Sequence, residues 1–147
     1  MPIRFILLLL PMILCGCNHS SGQLFAIKPA WTTEMSGLTH YSLGSGLQIW
    51  VQESALVTAA DIKDARYVTD DMGDPAVMIT LGPGGTARMG RFTEGHVSEP
   101  LAVFVDEDLI SAPVVTGRIG SEFLIMGLED KSHAESFAKR VSEPESN

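Results

Sequence analysis

Leu101-Ala102-Val103-Phe104-Val105-Asp106-Glu107-Asp108-Leu109-Ile110-Ser111-Ala112-Pro113-Val114-Val115 is the stretch that decides the fold. Two apolar runs, 101–105 and 109–115, flank three consecutive acids, which predicts two strands joined as a hairpin. The acids read as a turn, because Asp stabilises turn geometry through its short side chain. A calcium loop would need ligands alternating over about twelve positions and a closing Glu.

Periodicity extends the reading in both directions. Downstream, 123–126 is a strand ended by Gly127. Asp130 then caps a helix whose Ala134, Phe137, Ala138 and Val141 recur at i, i+3, i+4 and i+7. Upstream, Gly82-Pro83 opens a helix with proline at its first position. Its inner face is Gly85, Met89, Phe92 or Thr93, and His96 or Val97. Before it come a strand over 75–81, a turn over 70–74 and a strand over 66–69. Thr58 and Asp61 have capping-box spacing and predict a short helix through Ala65, with Val57 and Ile62 as its staple. Leu47, Ile49 and Val51 alternate with polar or amphipathic neighbours, as a half-buried strand does.

Residues 31–46 sustain no period and read as an irregular lead-in with at most one strand. Residues 17–30, with Ser20-Ser21-Gly22, read as a polar tether. The expected domain therefore spans 47–142, with 143–147 as a disordered tail. Two to three helices on one face of a mostly antiparallel sheet make it α+β, with ferredoxin-like character.

The opening residues carry a separate signal. Arg4 precedes an apolar run over 5–14 that falls short of the ~20 residues a membrane span requires. The run ends in Leu14-Cys15-Gly16-Cys17, similar to a bacterial lipoprotein signal with its lipidated cysteine. The expectation is cleavage after residue 16 and anchoring through lipid on Cys17, since more than one acyl chain holds stably. That places the chain in the bacterial envelope, outside the cytoplasm, on the periplasmic face of the inner or outer membrane. It also removes both cysteines from the folded part, leaving no disulfide, zinc-thiolate site or cysteine nucleophile there.

Charge and motifs narrow the function. The net charge is −8, and the basic residues are scattered apart from Lys139-Arg140, which argues against nucleic acid. An acidic surface is repelled by anionic headgroups, leaving the lipid as the membrane link. His19, His40, His96 and His133 show no metal-ligand spacing. Asp70, Asp71 and Asp74 around Gly73 again fit a turn better than calcium. Gly82-Pro83-Gly84-Gly85 lacks the Gly-Lys-Ser/Thr ending of a phosphate loop. Ser111 lacks the Gly-x-Ser-x-Gly elbow of a nucleophile. No cofactor and no enzymatic activity are expected.

A family resemblance follows from residues spread over about 47–141. They are Thr58-Ala59-Ala60-Asp61-Ile62-Lys63-Asp64-Ala65, Gly73-Asp74-Pro75-Ala76-Val77, Leu81 with Pro83 and Gly85, and Phe92-Thr93-Glu94. Pro100-Leu101-Ala102-Val103, Asp106 and Ile110-Ser111-Ala112-Pro113-Val114-Val115 are the most specific, and Ile125, Gly127 and Ala134 close the set. In this order they resemble the head subdomain in the first large periplasmic domain of SecD, a membrane protein that assists Sec-dependent export. The resemblance implies an α+β head that engages polypeptide emerging from the translocon and moves relative to the membrane. It does not extend to the membrane part that uses the proton gradient, nor to most of the periplasmic base. Three departures stand out. Glu107 replaces a usual glycine, so the hairpin is expected to be built differently. Gly120-Ser121-Glu122 replaces a glycine-richer turn, and Ser98-Glu99 replaces a Gly-Lys-like pair.

Val103, Asp106, Ser111, Pro113, Arg118 and Ile119 are accordingly the candidate contacts for polypeptide or a translocon protein. Strand addition to an exposed sheet edge is the expected mode. The alternative is an envelope scaffold or inhibitor-like lipoprotein that binds one folded partner and has no export role.

Overall fold

A computed structural model describes residues 22–143. The expected signal segment, the expected lipidation site at Cys17, and residues 144–147 lie outside the described residues.

Phe25-Ala26-Ile27-Lys28-Pro29-Ala30-Trp31 forms the first strand, β1 (Phe25–Trp31), at the centre of a sheet. This corrects the polar tether expected through residue 30 and the irregular lead-in after it. Phe25, Ala26, Ile27 and Ala30 are all buried, so both faces of β1 are covered. Two small alanines and Pro29 hide the strand in the sequence, since proline argues against an interior strand. Here Pro29 lies at the break between two short partner strands, and its carbonyl accepts from the Gln52 N–H at 2.9 Å.

The lead-in contributes β2 (Thr39–Ser42), and β3 (Gln48–Val51) follows as expected. Ile49 and Val51 point inward, while Leu47 lies outside the strand and is exposed. After β4 (Val57–Thr58), the helix expected through Ala65 is only one 3₁₀ turn, Ala59–Asp61. The Asp61 carboxylate does accept from the Thr58 N–H at 2.9 Å. From Ile62, however, the chain pairs with the next strand along its whole length, and tertiary pairing overrides the local helix signal.

That pairing joins β5 (Ile62–Thr69) to β6 (Pro75–Leu81) across a turn at 70–74. One Asp70 carboxylate oxygen accepts from the N–H groups of Met72 and Asp74, each at 2.9 Å, which confirms the turn. Helix α1 (Pro83–Gly95) buries Gly85, Met89, Gly90 and Thr93. Then come β7 (Leu101–Val105), β8 (Asp108–Ser111), β9 (Glu122–Ile125) and α2 (Lys131–Ser142). Asp130 caps α2 by accepting from the His133 N–H at 2.8 Å.

The second run of the opening hairpin stops at Ser111, short of residue 115. Pro113 has no N–H to continue a ladder. Its carbonyl still accepts from Leu101 at 2.9 Å, so the chain keeps alongside the start of β7. The turn keeps the left-handed geometry of a two-residue hairpin, with φ of 51° at Asp106 and 70° at Glu107. The departure at Glu107 therefore leaves the hairpin unchanged and places a non-glycine residue in a strained conformation. Ser98, at φ 78°, is a second such case.

Among the described residues all strand pairs are antiparallel and fall into two sheets. One has the order β2-β3-β1-β7-β8 with β4 beside β1, and the other is β5-β6-β9. α2 packs against β5 and β6. The main core joins both sheets and both helices through Phe25, Ile27, Val77, Ile79, Met89, Val103, Phe137 and their neighbours. A smaller cluster of Ala26, Ala30, Ile49, Val51, Ala102 and Phe104 fills the other face of the larger sheet. All five residues of β7 are buried, alternating between the two clusters, so β7 is the spine of the fold.

Candidate functional site

The six residues singled out in the sequence do not form one surface. Val103 is buried at 3% exposure in the main core, on an interior strand, which removes it as a partner contact. The Asp106 carboxylate meets the Arg140 guanidinium with two hydrogen bonds of 2.6 and 2.8 Å. This fork pins the β7–β8 turn to α2. The Arg140 hydrogen bond holds the Asp106 carboxyl below its usual value; burial opposes this, and the charges of Arg140 and His133 add to it. Asp106 in turn raises Arg140, through the hydrogen bond first.

Ser111 pairs with Val103 at the end of β8, and Pro113 is exposed in the segment beyond. Ile119 donates its N–H to the buried Thr93 hydroxyl at 2.9 Å, and that hydroxyl donates to the Met89 carbonyl at 2.8 Å. This ties the loop before β9 to α1. Arg118 is exposed, hydrogen-bonds Glu94 at 2.8 Å and lies over Gly90, where a Cβ would come within 2.9 Å of its guanidinium. Arg118 and Ile119 thus sit together against α1 in the loop before β9, whereas Ser111 lies near Gly127, just past the other end of that strand.

Which strand edges can receive another chain follows from hydrogen-bond alternation in antiparallel pairs. Along β8, the Ile110 carbonyl lies against Gly127, where an added Cβ would be 3.0 Å from it, so that edge is covered at this point. On β5, the Ser142 hydroxyl accepts from the Ala65 N–H at 3.1 Å and donates to the Ala65 carbonyl at 2.8 Å. This closes the middle of the β5 edge. Edge strand β2 bears Thr39, His40 and Ser42, tied by Gln48, which donates to Ser42 at 2.9 Å.

β9 differs from β5 and β8 in an outer edge uncovered among the described residues, and from β2 in the apolar side chains exposed along it. Leu81 donates to the Ser121 carbonyl at 2.8 Å, which fixes the phase of the β6–β9 ladder. In that phase Phe123 and Ile125 bond toward β6, whereas the backbone groups of Glu122 and Leu124 point outward. The side chains follow a related division. Ile125 is buried, while Leu124 and Met126 are 39% and 49% exposed. An edge offering free backbone groups beside exposed apolar side chains is a template for strand pairing. The sequence reading expected a strand over 123–126 and candidate contacts at Arg118 and Ile119 in the loop before it, but placed no contact on the strand itself.

At the end of the same sheet an open groove of about 550 Å³ runs from Ser121 across β6 to Lys63 on β5, and is also lined by Thr80, Pro83, Thr86 and Arg118. Its α1 wall is set by close packing, since a Cβ at Gly85 would stand 2.9 Å from that of Asp61. Asp61 is held by the Arg88 guanidinium and the Thr58 N–H. Burial raises its carboxyl, but hydrogen bonds from Arg88 and Thr58 and the Arg88 charge outweigh this and leave it lowered.

Comparison with known proteins agrees with this architecture. The family described as SecDF, P1 head subdomain, matches residues 36–142. The protein translocase subunit SecD of Rhodobacter capsulatus is 40% identical over 83 residues, covering 56% of this chain and 15% of the relative. That of Rhodothermus marinus is 30% identical over 113 residues, covering 76% of this chain and 17% of the relative. The chain thus corresponds to a small part of these curated relatives. A solved structure of SecDF, titled a membrane component that enhances protein export, superposes with a TM-score of 0.64 at 23% identity. It covers 82% of this chain and 63% of that one. A SecDF crystal structure in a super-membrane-facing form gives a TM-score of 0.62 over the same share of this chain and 19% of its own. The chain belongs to the SecDF P1 head subdomain family.

Proposed function

We propose that this protein is a non-enzymatic, lipid-anchored envelope protein whose head holds extended polypeptide or a translocon component as an accessory to protein export. The observation that carries this reading is the β9 edge, with outward backbone groups at Glu122 and Leu124 and exposed Leu124 and Met126. Strand addition there uses the main chain of the incoming segment, so it tolerates many sequences. Membership of a family named for translocase subunits supports export as the setting. Lipid on Cys17 supplies the tether, and tethering raises the local concentration at the membrane so that modest affinity suffices. Of the six candidate residues, Arg118 and Ile119 lie just before this strand and Ser111 lies near Gly127 just after it.

In-cell photo-crosslinking tests the reading. A probe at Leu124 is expected to trap translocon subunits or many precursors in transit, whereas a probe at exposed Val114 is not. A single abundant folded envelope protein, with no precursors, would replace it with the dedicated-partner scaffold.

A further inference from the structure

We infer that a second cavity, on the larger sheet, binds a zwitterionic ammonium–phosphate headgroup, that of phosphatidylethanolamine, and so seats the head on the membrane. The lipid source rests on the anchoring reading above; the chemistry of the cavity does not. The cavity holds about 230 Å³ and is lined by Gln23, Lys28, Tyr41, Glu53, Phe104 and Glu107. Drug-sized ligands occupy roughly 300–1,000 Å³, so this space suits a smaller polar group. Its floor is aromatic, with Tyr41 edge-on to Phe104 at 5.3 Å between ring centroids and Lys28 Nζ 5.2 Å from the Phe104 centroid. Both signs of charge share the cavity, yet Lys28, Glu53 and Glu107 make no ion pair among the described residues. Nor is any of them, or the Tyr41 hydroxyl, in a side-chain hydrogen bond there. The two carboxylates can accept from an ammonium, which aromatic faces also favour, and Lys28 can donate to a phosphate. A ligand carrying both charges a few bonds apart satisfies both ends at once.

Position names the source of that ligand. Gln23 lines the cavity, and the Glu107 carboxylate lies against Gly22, where an added Cβ would come within 3.0 Å of it. The Asp106 N–H donates to the Leu24 carbonyl at 3.0 Å, which ties this part of the chain to the β7–β8 turn. Gln23 follows Cys17 by six residues, which span at most about 20 Å even when fully extended. With lipid on Cys17, the cavity therefore stays within reach of the headgroups of the same bilayer. The net charge of −8 repels anionic lipid, which leaves a zwitterion as the headgroup that fits. β1, β2 and β7 belong to the larger sheet and β9 to the smaller one, so seating the head leaves the β9 edge open.

The test is an NMR titration of the isotope-labelled full chain in neutral detergent with glycerophosphoethanolamine, the headgroup without its acyl chains. Saturable shifts are expected at the Lys28, Tyr41 and Glu107 amides and none along β9. Ethanolamine and glycerol phosphate each carry one half of the charge pair and should bind about threefold more weakly, as loss of one exposed ion pair implies. Lys28→Gln and Glu53→Gln should each weaken the headgroup by a similar factor, and Glu53→Gln should melt as wild type because Glu53 is exposed outside the strands. No saturable shift, or ethanolamine binding as tightly as the headgroup, overturns the site. Glycine binding as tightly overturns the lipid assignment in favour of a free amino acid. Absence of palmitate label on Cys17 overturns the anchoring reading, and the lipid source with it, whatever the titration gives.

Discussion

The β7–β8 hairpin and β9 are both strands near an edge of a sheet, but they do opposite work. β7 is buried on both faces, the covering chain at Gly127 sits over the β8 carbonyl of Ile110, and the turn is forked to α2 through Asp106 and Arg140. β9 buries Ile125 but leaves its neighbours Leu124 and Met126 in solvent, and the backbone groups of Glu122 and Leu124 point away from β6 with no partner strand among the described residues. The strand at the heart of the stretch that most identifies the fold, β7, is thus buried away from any partner. Sequence specificity marks packing here, and the outward-facing backbone falls to a short strand that looks ordinary in the sequence.

Substitutions can break or sharpen that contrast. The largest expected effect is Phe25→Ala, which empties the contact with Phe137 at 5.7 Å between ring centroids. It should cost about 3–5 kcal/mol in urea unfolding; a loss below about 1 kcal/mol would return β1 to the status of a tether. Val103→Ala should cost about 2 kcal/mol while leaving crosslinking from Leu124 unchanged, because Val103 is packing and not contact.

Asp106→Asn weakens the fork to Arg140. Since both side chains are about 40% exposed, with Arg140 at 40% and Asp106 at 43%, solvent screens the pair and the loss should be about 1 kcal/mol. Its pH dependence has a definite sign. The folded carboxyl titrates below its ordinary 3.8, so its contribution is full above that value and is lost as the pH falls through the folded pKa. The stability gap between wild type and Asp106→Asn should therefore be constant near neutrality and close below about pH 4 in acid titrations. Glu107→Gly goes the other way. Relieving a φ of 70° should raise stability by about 1 kcal/mol, read as a higher urea midpoint. Smallest of all, Leu124→Lys should shift stability by no more than about 0.5 kcal/mol, yet abolish polypeptide capture at the β9 edge.

Much of the fold was legible wherever apolar spacing was regular. β6, the Pro83 start of α1, the face of α2 and its Asp130 cap all stand as read. β1 was not, because alanine and proline carry little strand signal even when the strand is central. The Thr58–Asp61 box was read correctly as a local contact and wrongly as a helix, since nothing local shows that Ile62 will pair with Leu81. The candidate site was legible only in part. Edges are defined by which strands do not have neighbours, and Ser142 over Ala65 or Gly127 over Ile110 are contacts between distant segments. Lys63 and Arg118 likewise share a groove only after folding.

Amide hydrogen exchange on β9, with and without an unfolded polypeptide, tests the central claim most directly. Strand addition predicts that the Glu122 and Leu124 amides exchange quickly in the free protein and slow strongly on binding, while Phe123 and Ile125 are protected in both states. Polypeptide binding that leaves Glu122 and Leu124 exchanging as fast as before would contradict it and move the holding surface away from β9.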